Sequence, residues 1–159
     1  MLQNDYNVDA FGFRVVGEKH TEIKFKRLSD DAQIPIRAHY NDSGLDLYAV
    51  KSYMIWPHET LLVGTGIACQ LPVGTTGQIT SRSSIAKQGI LVHLGTLDEG
   101  YRGEISAIVT NLNDHKVWIN IGDRIAQLVV LNVERPAVIV AEELEESTRG
   151  EKGYGSSGV

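Results

Sequence analysis

The chain has 159 residues, 42% of them apolar, and a net charge of −5. That length suits one domain, and a chain of about 150 residues buries roughly 70% of its unfolded surface, enough for a core without staples. The single cysteine, Cys69, excludes an internal disulfide and a cysteine metal cluster, and an acidic chain with no basic stripe argues against direct nucleic-acid binding. Residues 1–19 read as a polar extension of unknown role, without the basic-then-apolar pattern of a signal peptide. No run approaches the ~18–20 apolar residues of a membrane span, so the expectation is a cytoplasmic protein with no membrane contact.

The first predicted strand is Glu22 to Leu28, where Ile23 and Phe25 alternate with Lys24 and Lys26. Ser43 to Ala49 follows, with Asp46 set among apolar residues; a carboxylate there is costly to bury unless it is paired or serves a metal. Gly64–Gly66 and Pro72–Gly77 read as turns. A short helical turn is predicted over Ser83–Gln88, closed by Gly89 as its C′ residue. Before it, Ser81-Arg82-Ser83-Ser84 suits either an anion at a helix start or a serine cap on an ordinary turn. Gly95 to Gly103 is a glycine-bounded turn or hairpin holding Asp98, Tyr101 and Arg102.

Glu104 to Asn111 alternates, with Ile105, Ala107 and Val109 on one face. Ile125 to Val133 is too continuously apolar for a surface strand, and Gln127 is its polar exception; Asp123 and Arg124 before it suit ion pairs or turn bonds. Ala141–Ser147 is a marginal second helix, with seven residues and four glutamates. The chain closes on Arg149-Gly-Glu-Lys-Gly-Tyr154-Gly-Ser156-Ser157-Gly, which combines close-approach glycines, an arginine fork, hydroxyls and an aromatic. It reads as a phosphate clamp that orders on binding, or as a frayed terminus. Many short strands divided by glycine point to a sandwich, barrel or jelly roll.

In order and spacing, the stretches SGLDLYA, SRSSIA, GTLDEGYRG, GDRIAQL and RGEKGYGSSG resemble the five motifs of the trimeric deoxyuridine triphosphatase family. The resemblance runs from about Thr21 to Gly158. It implies an all-β, jelly-roll-like β-barrel over residues 20–148 with a flexible glycine-rich lid over 149–159. It also implies a homotrimer with shared active sites, dUTP as substrate and Mg2+ as cofactor. Asp98 matches the water-activating aspartate. Arg82, Ser83, Ser84 and Gln127 match phosphate-binding positions, and Asp46 would reach the magnesium through water. Gly95, Thr96, Leu97 and Ser106 would read uracil through the backbone, with Tyr101 flat under the deoxyribose. Arg149, Ser156 and Ser157 would clamp the terminal phosphates while Tyr154 stacks on the base.

The chain departs from the family pattern at Ser81, Ser84, His93, Lys152 and Tyr154. A dCTP deaminase, related in fold and motifs, would need a glutamate at Ile108, and isoleucine cannot transfer protons. A regulatory switch with a protein partner is a further reading, compatible with retained catalysis. A structural jelly-roll trimer would leave Asp98, Tyr101 and the tail unexplained.

Overall fold

The computed structural model describes residues 22–148 and Gly150. The strands are β1 (Lys24–Arg27), β2 (Gly44–Tyr48), β3 (Tyr53–Ile55), β4 (Thr60–Gln70), β5 (Thr75–Thr80), β6 (Ile90–Val92), β7 (Gly95–Leu97), β8 (Glu104–Asn111), β9 (Val117–Ile119) and β10 (Arg124–Asn132). One helical turn, α1 (Ser83–Ala86), stands between β5 and β6. Two four-stranded antiparallel sheets, ordered β1-β4-β8-β6 and β2-β10-β5-β7, enclose the core, and β3 pairs with β9 beside them. This is the expected all-β jelly roll. Among the described residues no helix is long and apolar enough to cross a membrane.

Period-two alternation builds the core. Ile105, Ala107, Val109 and Asn111 of β8 point inward, as do Thr75, Gly77 and Ile79 of β5. In β10 the register shifts between Arg124 and Ala126, so Ile125 and Ala126 are both buried in succession. A bulge of this kind places two neighbours on one face, which accounts for the unbroken apolar run. Cys69 is buried on β4, and burial pushes its thiol up, which keeps it protonated and inert.

Four expectations are corrected. Gly64–Gly66 is not a turn; it lies inside β4, where pairing with β8 slips between Gly64 and Ala68. Gly66 takes φ +66°, and a Cβ there would stand 2.8 Å from Val50 and 2.9 Å from Ala32. The amides loosened by this bulge are recovered by side chains: Gly64 N–H donates to the Tyr53 hydroxyl at 2.9 Å, and Gly66 N–H to Glu104 at 2.7 Å. Second, Pro72–Gly77 is a turn only as far as Gly74, since β5 starts at Thr75. Third, α1 spans one turn rather than reaching Gln88, although Gly89 has the expected positive φ of 70°. Fourth, residues 141–147 are irregular, because four like charges and no packing partner leave so short a helix unsupported.

Asn111 locks one end of the barrel. It is fully buried; its amide donates to the carbonyls of Ile55 at 3.1 Å and His115 at 2.8 Å, and its Oδ1 accepts Asn113 N–H at 2.9 Å. Asn111→Ala strands these groups away from water, and the expected loss of stability is about 3 kcal/mol, read from urea unfolding.

Candidate active site

The polar half of the site forms where β2, β10 and the start of α1 converge. Gln127 of β10 sits in register between Asp46 of β2 and Thr80 of β5. Its Nε2 donates to the Ser81 carbonyl at 3.0 Å. Gly44 leaves room for it, since a Cβ at that position would run into the Gln127 side chain. The residue at the helix start is Arg82, in extended conformation and with no side-chain cap. The serine-cap reading therefore fails, and Ser83 and Ser84 remain exposed beside the cleft.

Asp46 is 7% exposed and doubly paired: Oδ1 lies 2.9 Å from Arg82 Nε, and Oδ2 lies 3.3 Å from Arg124 Nη1. Two guanidiniums against one carboxylate leave the cluster net positive, and partial burial weakens solvent screening there. Burial, and then the charge of Asp46, holds the neighbouring Tyr48 phenol above its ordinary range, so it stays protonated. The resulting cleft, about 380 Å3, brings together Asp46, Arg82, Ser83, Ser84 and Gln127. Asp42 lines it as well, so the cleft holds two carboxylates beside Arg82, and its guanidinium, hydroxyl and amide donors rather than a net positive charge are what suit a phosphate. Among the described residues no group of three or more His, Cys, Asp or Glu could hold a metal ion. Asp46, with both oxygens paired to arginines, fits magnesium only through water, because that ion keeps several waters and takes its remaining oxygens from phosphate.

The second half lies elsewhere on the barrel. Gly95, Thr96 and Leu97 of β7, with Tyr101 and Ser106, line a cleft of about 430 Å3. Leu62, Ile79 and Ile108 add apolar walls. The Tyr101 hydroxyl donates to the Glu104 carbonyl at 3.1 Å, and its N–H to the Asp98 carbonyl at 3.0 Å, which stands the ring at the cleft edge. Asp98 is exposed directly after β7. Of the expected turn or hairpin, the turn is present, closed by Tyr101 N–H on the Asp98 carbonyl, but it crosses between sheets, for β7 pairs with β5 while β8 pairs with β4 and β6.

The two clefts share no lining residue. Arg149, Tyr154, Ser156 and Ser157 lie outside the described residues. The expected ion pair of Arg124 is present, with Asp46 as the partner that sequence reasoning did not identify, and Leu62 was missed. Arg124 was visible beside Gln127, but Leu62 enters only because β4 pairs it with Ile108.

A jelly roll with an arginine- and serine-lined cradle for anions and a separate tyrosine-edged cleft defines a nucleotide-handling class of all-β protein. The dUTPase family model matches residues 30–158. The deoxyuridine 5'-triphosphate nucleotidohydrolase of Rhodococcus erythropolis is 48% identical over 143 residues, covering 87% of this chain and 87% of that protein. The enzyme of the same name from Clostridium kluyveri is 43% identical, covering 87% of this chain and 99% of its own. The chain belongs to the dUTPase family.

Among solved structures, the dUTPase of Staphylococcus bacteriophage 80alpha with dUpNHpp superposes with a TM-score of 0.83 at 30% identity, covering 87% of this chain and 99% of that one. That phage protein is described as controlling transfer of virulence genes by a G protein-like mechanism. A dUTPase mutant from phage phi11 of S. aureus, described as coordinating a structural Mg(II) ion, superposes with a TM-score of 0.75 at 25% identity, covering 79% of this chain and 99% of that one.

Proposed function

We propose that the protein is a dUTP diphosphatase that hydrolyses dUTP to dUMP and pyrophosphate, limiting uracil incorporation into DNA and supplying dUMP for dTMP synthesis. The observation that carries this reading is the pair of clefts: one suits a charged triphosphate, the other a nucleoside, within a chain whose relatives bear that activity in their names. The substrate analogue held by the phage neighbour supports it.

In this reading Asp98 orients a water and takes its proton as the oxygen attacks the α-phosphorus. The bond from that phosphorus to the bridging oxygen breaks, and pyrophosphate leaves with the electron pair. Positioning and general-base assistance suffice, with no covalent intermediate. Magnesium, when bound with the triphosphate, neutralises charge on its oxygens. Asp46 would hold that ion through water, while Arg82, Ser83, Ser84 and Gln127 hold phosphate. Tyr101 lies against the deoxyribose and leaves no room for a 2′-hydroxyl. The backbone at Gly95, Thr96, Leu97 and Ser106 reads uracil. Arg149, Tyr154, Ser156 and Ser157 close the site.

The same reading makes the active unit a cytoplasmic homotrimer with shared sites. Two half-sites without a common residue ask for a neighbour to complete each. Residues 134–148 support this: they lie on the surface of the single chain, with Val138, Ile139, Val140 and Leu144 between 82% and 99% exposed. Contiguous apolar surface of this sort marks an interaction site. Light scattering is expected to return three times the 17.5 kDa chain mass, and an active monomer would refute the shared site.

The decisive test of function is pyrophosphate release from dUTP beside UTP, dTTP and dCTP. Turnover of dUTP alone is expected. Ammonia release from dCTP would instead restore the deaminase.

A further inference from the structure

Three segments meet at the side chain of Glu99: the turn before β5, the 98–103 loop, and residues 133–135, where the chain leaves β10. Glu99 Oε2 accepts Gly74 N–H at 2.9 Å and Arg135 Nη2 at 2.8 Å. Val133 N–H donates to the Gly74 carbonyl at 2.9 Å, tying the same turn to the departing chain. Behind the carboxylate, Arg102 Nη1 donates to the carbonyls of Glu99 at 2.7 Å and Tyr101 at 2.8 Å. The loop is thus braced within by Arg102 and anchored without by Glu99. The Gly74 N–H, and then the Arg135 hydrogen bond, hold the Glu99 carboxyl below the usual glutamate range. The stabilisation this implies is complete above the ordinary glutamate pKa and is lost as pH falls through the lowered one.

An exposed ion pair of this kind adds little to folding. Its position gives it another use. Glu99 is bonded to Asp98, so moving one moves the other. Arg135 opens the exposed 134–148 segment, which leads on to residues 149–159. We propose that Glu99 and Arg135 are a positioning pair for the reaction, making the placement of Asp98 depend on how the root of the C-terminal segment is seated. The inference rests on the reading of Asp98 as the water-activating base. Misplacing such a group by a fraction of an ångström costs rate rather than binding.

The test compares Glu99→Gln, Arg135→Gln, the double variant and Arg135→Lys in the full-length protein. Glutamine at 99 keeps an oxygen for Gly74 N–H and loses the charge facing Arg135. Each single glutamine variant is expected to lower kcat about five- to tenfold, with KM changed by less than about twofold. Because the two act as one unit, the double variant should be no slower than the slower single. Arg135→Lys should recover about half of the lost rate, since the charge remains and the fork does not. Unchanged kcat in both singles, losses that multiply in the double, or losses that track the fall in Tm across the four variants would each overturn the proposal. Asp98→Asn is assayed alongside. If it retains activity, the reading of Asp98 as the base has failed; if it is inactive while the pair variants keep full kcat, only the coupling has failed.

Discussion

Replacing Asp98 with asparagine is expected to lower kcat by about 10²–10⁴-fold while dUTP still binds. The amide keeps the shape of the carboxylate and cannot accept a proton from water. The residue is exposed at the end of β7, so the exchange removes no core packing. Binding should survive because the groups proposed to hold the nucleotide stay in place, with Arg82 and Ser83 at one cleft and Tyr101 at the other. Pyrophosphate release measures the first quantity and titration calorimetry the second. A variant keeping more than about a tenth of the wild-type kcat would remove Asp98 from the role of base.

Deleting residues 149–159 is the second large effect, and it should fall on kcat as well as KM. Ordering a glycine-rich segment costs roughly 1–2 kcal/mol of backbone entropy per residue. In the proposed mechanism Arg149, Ser156 and Ser157 recover that cost on the phosphates and Tyr154 on the base. These contacts favour the aligned, water-excluded arrangement in which the α-phosphorus can be attacked. Binding of dUMP, which lacks the terminal phosphates, should be nearly unchanged. Measuring kcat for dUTP and Kd for dUMP on the truncated protein separates these effects. Full activity without the segment would show that it is no lid.

Much of the architecture was legible because alternation is a local signal. Ile105, Ala107 and Val109 define β8 to its ends, and the apolar run after Arg124 marks β10, whose first half is buried at Ile125, Ala126 and Leu128 while Leu131 and Asn132 are exposed. What escaped depends on partners remote in sequence. Gly64–Gly66 reads as a turn because glycines mark turns and bulges alike, and only pairing with β8 tells them apart. The link from β7 to β8 reads as a hairpin because nothing local reveals that its two strands join different sheets. Asp46 was rightly seen as needing a partner, but one partner, Arg124, lies 78 residues away. The motif segments themselves were visible as clusters of unusual residue types; among the described residues folding brings Asp46, Arg82 and Gln127 to one cleft and Gly95, Thr96 and Tyr101 to another, with Asp98 lining neither.

The 134–148 segment also bears on how the protein must be made. Between Arg135 and Glu142 the chain reads Pro-Ala-Val-Ile-Val-Ala, an uncharged run with three β-branched residues in succession. Unpaired strand-forming stretches of this composition nucleate aggregates when left uncovered. The flanking charges, Arg135 on one side and Glu142 and Glu143 on the other, act as gatekeepers that slow such stacking. A newly folded copy therefore faces a race between productive assembly and aggregation, two processes that both speed up with concentration. Slow refolding at low concentration should favour active protein, and early crowding should give precipitate, with the outcome decided by how soon this short run finds its cover.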